Sequence, residues 1–294
     1  MQSNNPIFRR SEEFNRGGAN MYGNQTYAGN GAPTAGYAQT DPSQWSVGAP
    51  GGPQDLGRAP AATGPMTIDT VVQKTAISLG LVIVAAAATW LVTGDITDNE
   101  VPGGLITALT LGSLVAFALS MVNSFKRVVS PALVMAFAVA EGVALGAFSK
   151  FIDSIYSTPG TGNLVIQAVI GTFAAFAGTL AAYKFFNIQV GAKFRMFVIA
   201  AVFGMIGLSL MELVLGLFGS SFGLFGFGGL GILTAVAGLV LGVFMLILDF
   251  DFVEQGIANR IPEQESWRAA FAMTVSLVWI YTNLLRLLAI FSDN

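Results

Sequence analysis

The residues that promise chemistry are acidic side chains set inside apolar runs. "LVMAFAVAEGVALGAF", residues 133 to 148, is apolar or small at every position except Glu141. Glu141 lies ten residues after Pro131, where the run opens, which is about 15 Å along a helix at ~1.5 Å per residue. That is half the thickness of a ~30 Å hydrocarbon core, where an ionisable side chain is costly and a functional role is the default reading. Glu141 is either a carboxylate lining an ion or proton path or a protonated one bonded to a neighbouring helix. "LILDFDFVEQG" sets Asp249 and Asp251 two apart, with Glu254 three further on. A spacing of two turns a helix by about 200°, so the two aspartates cannot share one interior face. The segment is either an acidic stop at a helix end or the inner mouth of a cation path closed by one aspartate. Glu212 and Arg286 each lie a few residues before the end of an apolar run. They form an ion pair or snorkel separately to the interface. Hard oxygen ligands suit Ca²⁺, and Glu141 and Asp251 are the candidates to meet it.

The elements that must position these groups follow from composition. Hydrophobic residues make up 53% of the 294 and charged residues only 11%. That charged share is about half of what a soluble domain carries. Seven apolar runs are long enough to span a bilayer: about 71–93, 102–123, 131–151, 163–183, 195–218, 228–249 and 269–291. They lack strict alternation, so they predict helices and not barrel strands. The fold class expected is an all-α integral membrane protein, a seven-helix bundle over residues 67–294. Residues 1–66 are Gly-, Asn- and Pro-rich and read as a disordered tail. Tyr22, Tyr27, Tyr37 and Trp45 within it are either docking points for a partner or ornaments of a flexible tail.

Lysine and arginine set the expected orientation. The tail, the start of the first helix and every second connection carry twelve of the fourteen basic residues. Lys150 stands opposite and Arg286 lies within the last run. The N-terminus is therefore expected in the cytoplasm and the C-terminus outside, in a bacterial plasma membrane. The chain has no cysteine and no histidine. Disulfides, thiolate chemistry, zinc proteolysis and Ser-His catalysis are excluded, and any response between about pH 5 and 8 falls to carboxylates. A net charge of −3 gives no case for a nucleic-acid partner.

Several stretches carry a family resemblance. "AVAEGVALGAFSKFID", "VIQAVIGTFAAFAGTLAAYKF" and "LDFDFVEQG" followed by "PEQESWRAAFAMTVSLVWIYTNLLRLLAIF" are similar to the third, fourth, sixth and seventh helices of the transmembrane Bax inhibitor motif family, in its bacterial YccA-like branch. The opening "NNPIFRRSEEF" resembles a bacterial sub-branch. The resemblance implies a bundle around a central helix and a pH-dependent calcium leak, with no cofactor beyond calcium in passage. It implies two aspartates, on the sixth and seventh helices, that share a proton and latch an inner gate. The sixth-helix member maps to Asp251, with Asp249 the fallback. The seventh helix departs from the pattern: it has no carboxylate, and Ser276, Thr282 and Asn283 stand where one is expected. Weight therefore shifts to Glu141, with Asn283 along the path. The family's arginine low on the second helix has Lys126 or Arg127 as its counterpart here. The alternative function is regulation of a membrane-bound ATP-dependent protease, with the tail as contact. An intramembrane aspartyl protease lacks its second aspartate, so no enzyme is expected.

Overall fold

The computed structural model describes residues 64–94, 96, 101–157, 163–186 and 188–292. Among them seven helices are long and apolar enough to cross a membrane. They are α1 (Ile68–Val92), α2 (Gly103–Phe125), α3 (Pro131–Tyr156), α4 (Leu164–Phe185), α5 (Ala192–Leu217), α6 (Gly229–Ala258) and α7 (Ser266–Ser292). The tail residues singled out in the sequence, Tyr22 to Trp45, lie outside the described residues.

Local signals start and stop these helices. Thr67 caps α1 through a reciprocal pair of hydrogen bonds with Thr70, and Asn163 caps α4 by accepting from the Ile166 N–H at 3.0 Å. Pro131 opens α3, where its missing N–H costs nothing. The largest difference from the expected spans is α6, which runs nine residues past Asp249. It continues through Asp251 and Glu254 because both carboxylates find partners on other helices. It ends in a left-handed turn at Arg260 (φ 51°), where Ile261 N–H reaches back to Gly256 C=O and Arg260 N–H to Ile257 C=O. Those two bonds satisfy the last carbonyls of the helix, and Pro262 prevents its resumption.

α7 is central, packing against α1, α3, α4 and α6. Half of the residues across the apolar stretches of α3 and α7 are buried, against 11% in α5. α2 rests mainly on α3, and α5 on α6. Without a hydrophobic drive between helices in lipid, close backbone approach must supply the contact. Gly142 and Gly146, four apart on α3, supply it. A Cβ at either would strike a backbone carbonyl of α1, that of Val82 or of Ala86.

One end of the bundle, here the basic face, gathers Lys74, Arg127, Lys184, Lys193, Arg195, Arg260 and Arg268. The α6–α7 connection organises it. Glu263 pairs with Lys74 at 2.9 Å, Gln264 Nε2 donates to Val129 C=O, and Arg268 donates to Arg127 C=O. Gly64–Met66 join this hub: Met66 N–H donates to Ile261 C=O and Glu263 N–H to Gly64 C=O, both at 2.8 Å. The Met66 side chain is buried among Val71, Leu246, Phe250 and Met273. At the opposite face Lys150, the lone lysine there, donates to the Trp90 and Thr93 carbonyls at 2.9 and 2.6 Å. A cation at the negative end of α1 is favourable there.

Candidate functional site around the central helix

α6 meets α7 along the stripe Gly238, Gly242, Leu246 and Asp249, spaced by four, four and three as one helix face requires. On that stripe Asp249 Oδ2 accepts a 2.6 Å hydrogen bond from the Ser276 hydroxyl of α7. Asp251 is turned away from it. Its Oδ2 accepts from Arg195 Nη2 of α5 and from Gln255 Nε2, both at 2.8 Å, and the residue is 7% exposed. Glu254 accepts from the Tyr183 hydroxyl of α4 at 2.6 Å. The aspartate that faces the seventh helix is therefore Asp249, the fallback, and not Asp251. The 200° rotation between them decides it.

Asp249 also lines a crevice of about 270 Å³ between α5 and α6, whose other walls include Val198, Val202, Met245 and Leu248. Arg195 begins one helical turn before Val198. Its ion pair with Asp251 thus lies at the basic-face end of the crevice.

Glu141 belongs to another seam. On α3 the stripe Phe137, Glu141, Leu145 and Ser149 repeats every four residues. Phe137 packs edge-on to Phe271 (5.0 Å between centroids) and Ser149 shares a 2.6 Å hydrogen bond with Tyr281, both on α7. Glu141, between them, is partly buried on the side of α3 that faces the central helix, while Val139 takes the outward side. Among the described residues no hydrogen bond or ion pair holds it. Its depth is shared. Glu141, Ser276 and Ser78 each lie ten residues into their helices, and Asp249 nine residues before the end of α6. At ~1.5 Å per residue all four lie about 14–15 Å along their own helices from the basic-face ends, a distance equal to half of a ~30 Å hydrocarbon core. Ser78, fully buried on α1, has an Oγ with no hydrogen-bond partner.

Other expected sites change role. Glu212 and Arg286 do not pair. Glu212 accepts from the backbone N–H groups of Phe222 (3.2 Å) and Gly223 (2.8 Å). Arg286 donates to Thr234 Oγ1 at 2.9 Å and to Gly231 C=O at 3.3 Å, with its guanidinium 5.3 Å from the Phe225 ring. Both contact the α5–α6 loop instead of each other, Glu212 through the Phe222 and Gly223 N–H groups and Arg286 through the Phe225 ring. Asn283 donates to Trp279 C=O on its own helix at 2.8 Å and packs flat on Gly238, so it serves the α6–α7 contact. Arg127 is exposed in the α2–α3 connection and contributes its carbonyl to Arg268. Glu141 and Asp251 lie on different seams and do not form a joint metal site. Among the described residues no group of three or more acidic or other ligating side chains converges. The sequence reading missed Arg195 and Ser78. Arg195 carried a signal, a basic residue just inside a span with no acidic neighbour in its own helix. Ser78 carried none, since serine is common in membrane helices.

A family model described as Bax inhibitor 1 like matches residues 5–293. The chain belongs to the Bax inhibitor 1-like family. Its seven apolar helices make it a multi-pass membrane protein of that family. No curated protein matches the chain. The serine opposite Asp249 is where this Bax inhibitor 1-like chain departs from the two-aspartate arrangement that the sequence resemblance led one to expect.

Proposed function

We propose that this Bax inhibitor 1-like protein is a pH-dependent cation leak, with calcium as the ion, in a bacterial plasma membrane, its basic face toward the cytoplasm. It is read as a passive path and not an enzyme. The observation that carries the reading is the pair of carboxylates, Glu141 and Asp249, at bilayer mid-depth on two flanks of one central helix. Ionisable groups at that depth mark ion and proton pathways in membrane proteins. Asp249 supplies an oxygen at the wall of the α5–α6 crevice, and the Arg195–Asp251 ion pair closes the crevice at the basic face. Removing either charge of this pair opens the closure. The groups facing Asp251 are Arg195 from α5 and Gln255 from its own helix, with Glu254 and Tyr183 beyond them.

Calcium flux into liposomes from about pH 8 to pH 6 tests this. Wild-type flux differs between the two ends of that range, the pH dependence that the family resemblance implies. Asp251→Asn and Arg195→Gln leak at pH 8 by a few-fold more than wild type, since an ion pair whose arginine is half exposed contributes about 0.5–1 kcal/mol. Glu141→Gln and Asp249→Asn lower flux at every pH. Equal flux in all five proteins, or none in the wild type, removes the leak.

The protease-regulator reading draws on a different observation. Gly64–Met66 tie the preceding segment to the α6–α7 connection, so a partner that grips the tail pulls on the hub of the basic face.

A further inference from the structure

We propose that a second crevice, between α1 and α4, holds one acyl chain of a phospholipid drawn from the leaflet opposite the basic face. α1 and α4 both pack on α7 and leave a gap of about 350 Å³ between them. Ile83 and Ala87 form one wall and Val169 and Phe173 the other, with Gly146 and Leu277 in the floor. Ile83 and Phe173 are exposed, so the gap opens sideways between two spanning helices, where the medium it meets is lipid.

The chemistry of the lining selects hydrocarbon. Ser149 and Tyr281 satisfy each other at 2.6 Å, and Thr172 donates to Ala168 C=O at 2.7 Å. The hydroxyls within the crevice are thus already bonded and present no invitation to water or an ion. Its length agrees. Leu79 and Trp90, at its two ends, are eleven residues apart, about 16 Å of helix, against ~15 Å for one leaflet's hydrocarbon. The rim suits a phosphate head. Trp90 is a lining aromatic near the end of α1, and α4 begins at Asn163 with its positive end toward the same rim. A seated chain lies on Leu145, one turn from Glu141, and so braces the α3–α7 seam. The binding itself stands apart from the leak reading.

Native mass spectrometry of the full chain, released from mild detergent after addition of 1-palmitoyl-2-oleoylphosphatidylglycerol, tests the inference. Wild type retains one lipid. Val169→Phe and Ala87→Phe, which fill the crevice from opposite walls, lower that adduct about tenfold. Ile170→Phe, at a position on α4 that is 64% exposed and outside the lining, keeps it. Circular dichroism checks folding, and because the two filling variants are on different helices, either one that folds decides. Wild type without a lipid, an adduct that is not a phospholipid, or filled variants that hold lipid as well as wild type overturns the proposal.

Discussion

At the scale of single residues, partners and not depth assign the roles. Glu212 and Arg286 have opposite charge, yet each bonds elsewhere, Glu212 to loop N–H groups and Arg286 to a hydroxyl and a carbonyl of α6. A hydrogen-bonded charge that loses its acceptor or donor forfeits about 1.5–3 kcal/mol, and exchanging the charges gives neither residue a new partner. The double exchange Glu212→Arg with Arg286→Glu is therefore expected to be less stable in detergent melts than either single exchange. Recovery of stability in the double variant restores the ion pair. The same logic explains Asp249 and Asp251: two like side chains two positions apart, one bonded to α7 and one to α5.

At the scale of helices, small residues decide which spans can touch. A Cβ at Gly142 has no room beside the Val82 carbonyl, whereas one at Gly80 meets nothing within 4 Å. Gly142→Ala is expected to lower the melting temperature, by an overpacking cost of about 1–3 kcal/mol. Gly80→Ala is expected to be neutral or slightly stabilising, because alanine is the better helix former by up to ~1 kcal/mol. Equal effects of the two in the same melt remove the glycine contact as the organiser of α1 on α3. This pairing was half legible in the sequence. The four-residue spacing of Gly142 and Gly146 marks a close-packing face, but nothing in it names α1 as the helix that fills it.

At the scale of the whole molecule, the basic face is one connected hub. Met66 is 1% exposed and sits in the core beneath the α6–α7 connection, so the folded unit begins before α1. Removing residues 1–63 is expected to leave calcium flux and melting temperature as they are. Removing residues 1–66 is expected to cost about 2–5 kcal/mol, the range for emptying a core site of this size. Loss of activity in the shorter deletion, with the melting temperature unchanged, moves the function from the bundle to the tail and favours the regulator.

Seven spans, their alternation and the mid-depth position of Glu141 were decided by the sequence alone. They rest on quantities local to the chain: run length against bilayer thickness, and where charges interrupt a run. The family was legible for the same reason, in contiguous motifs. The extension of α6, the choice of Asp249 over Asp251 to face α7, the Arg195–Asp251 ion pair and the separate fates of Glu212 and Arg286 were decided by tertiary structure. Each depends on which side chain stands across a gap between helices, and helices from distant parts of the chain meet only once the bundle has packed.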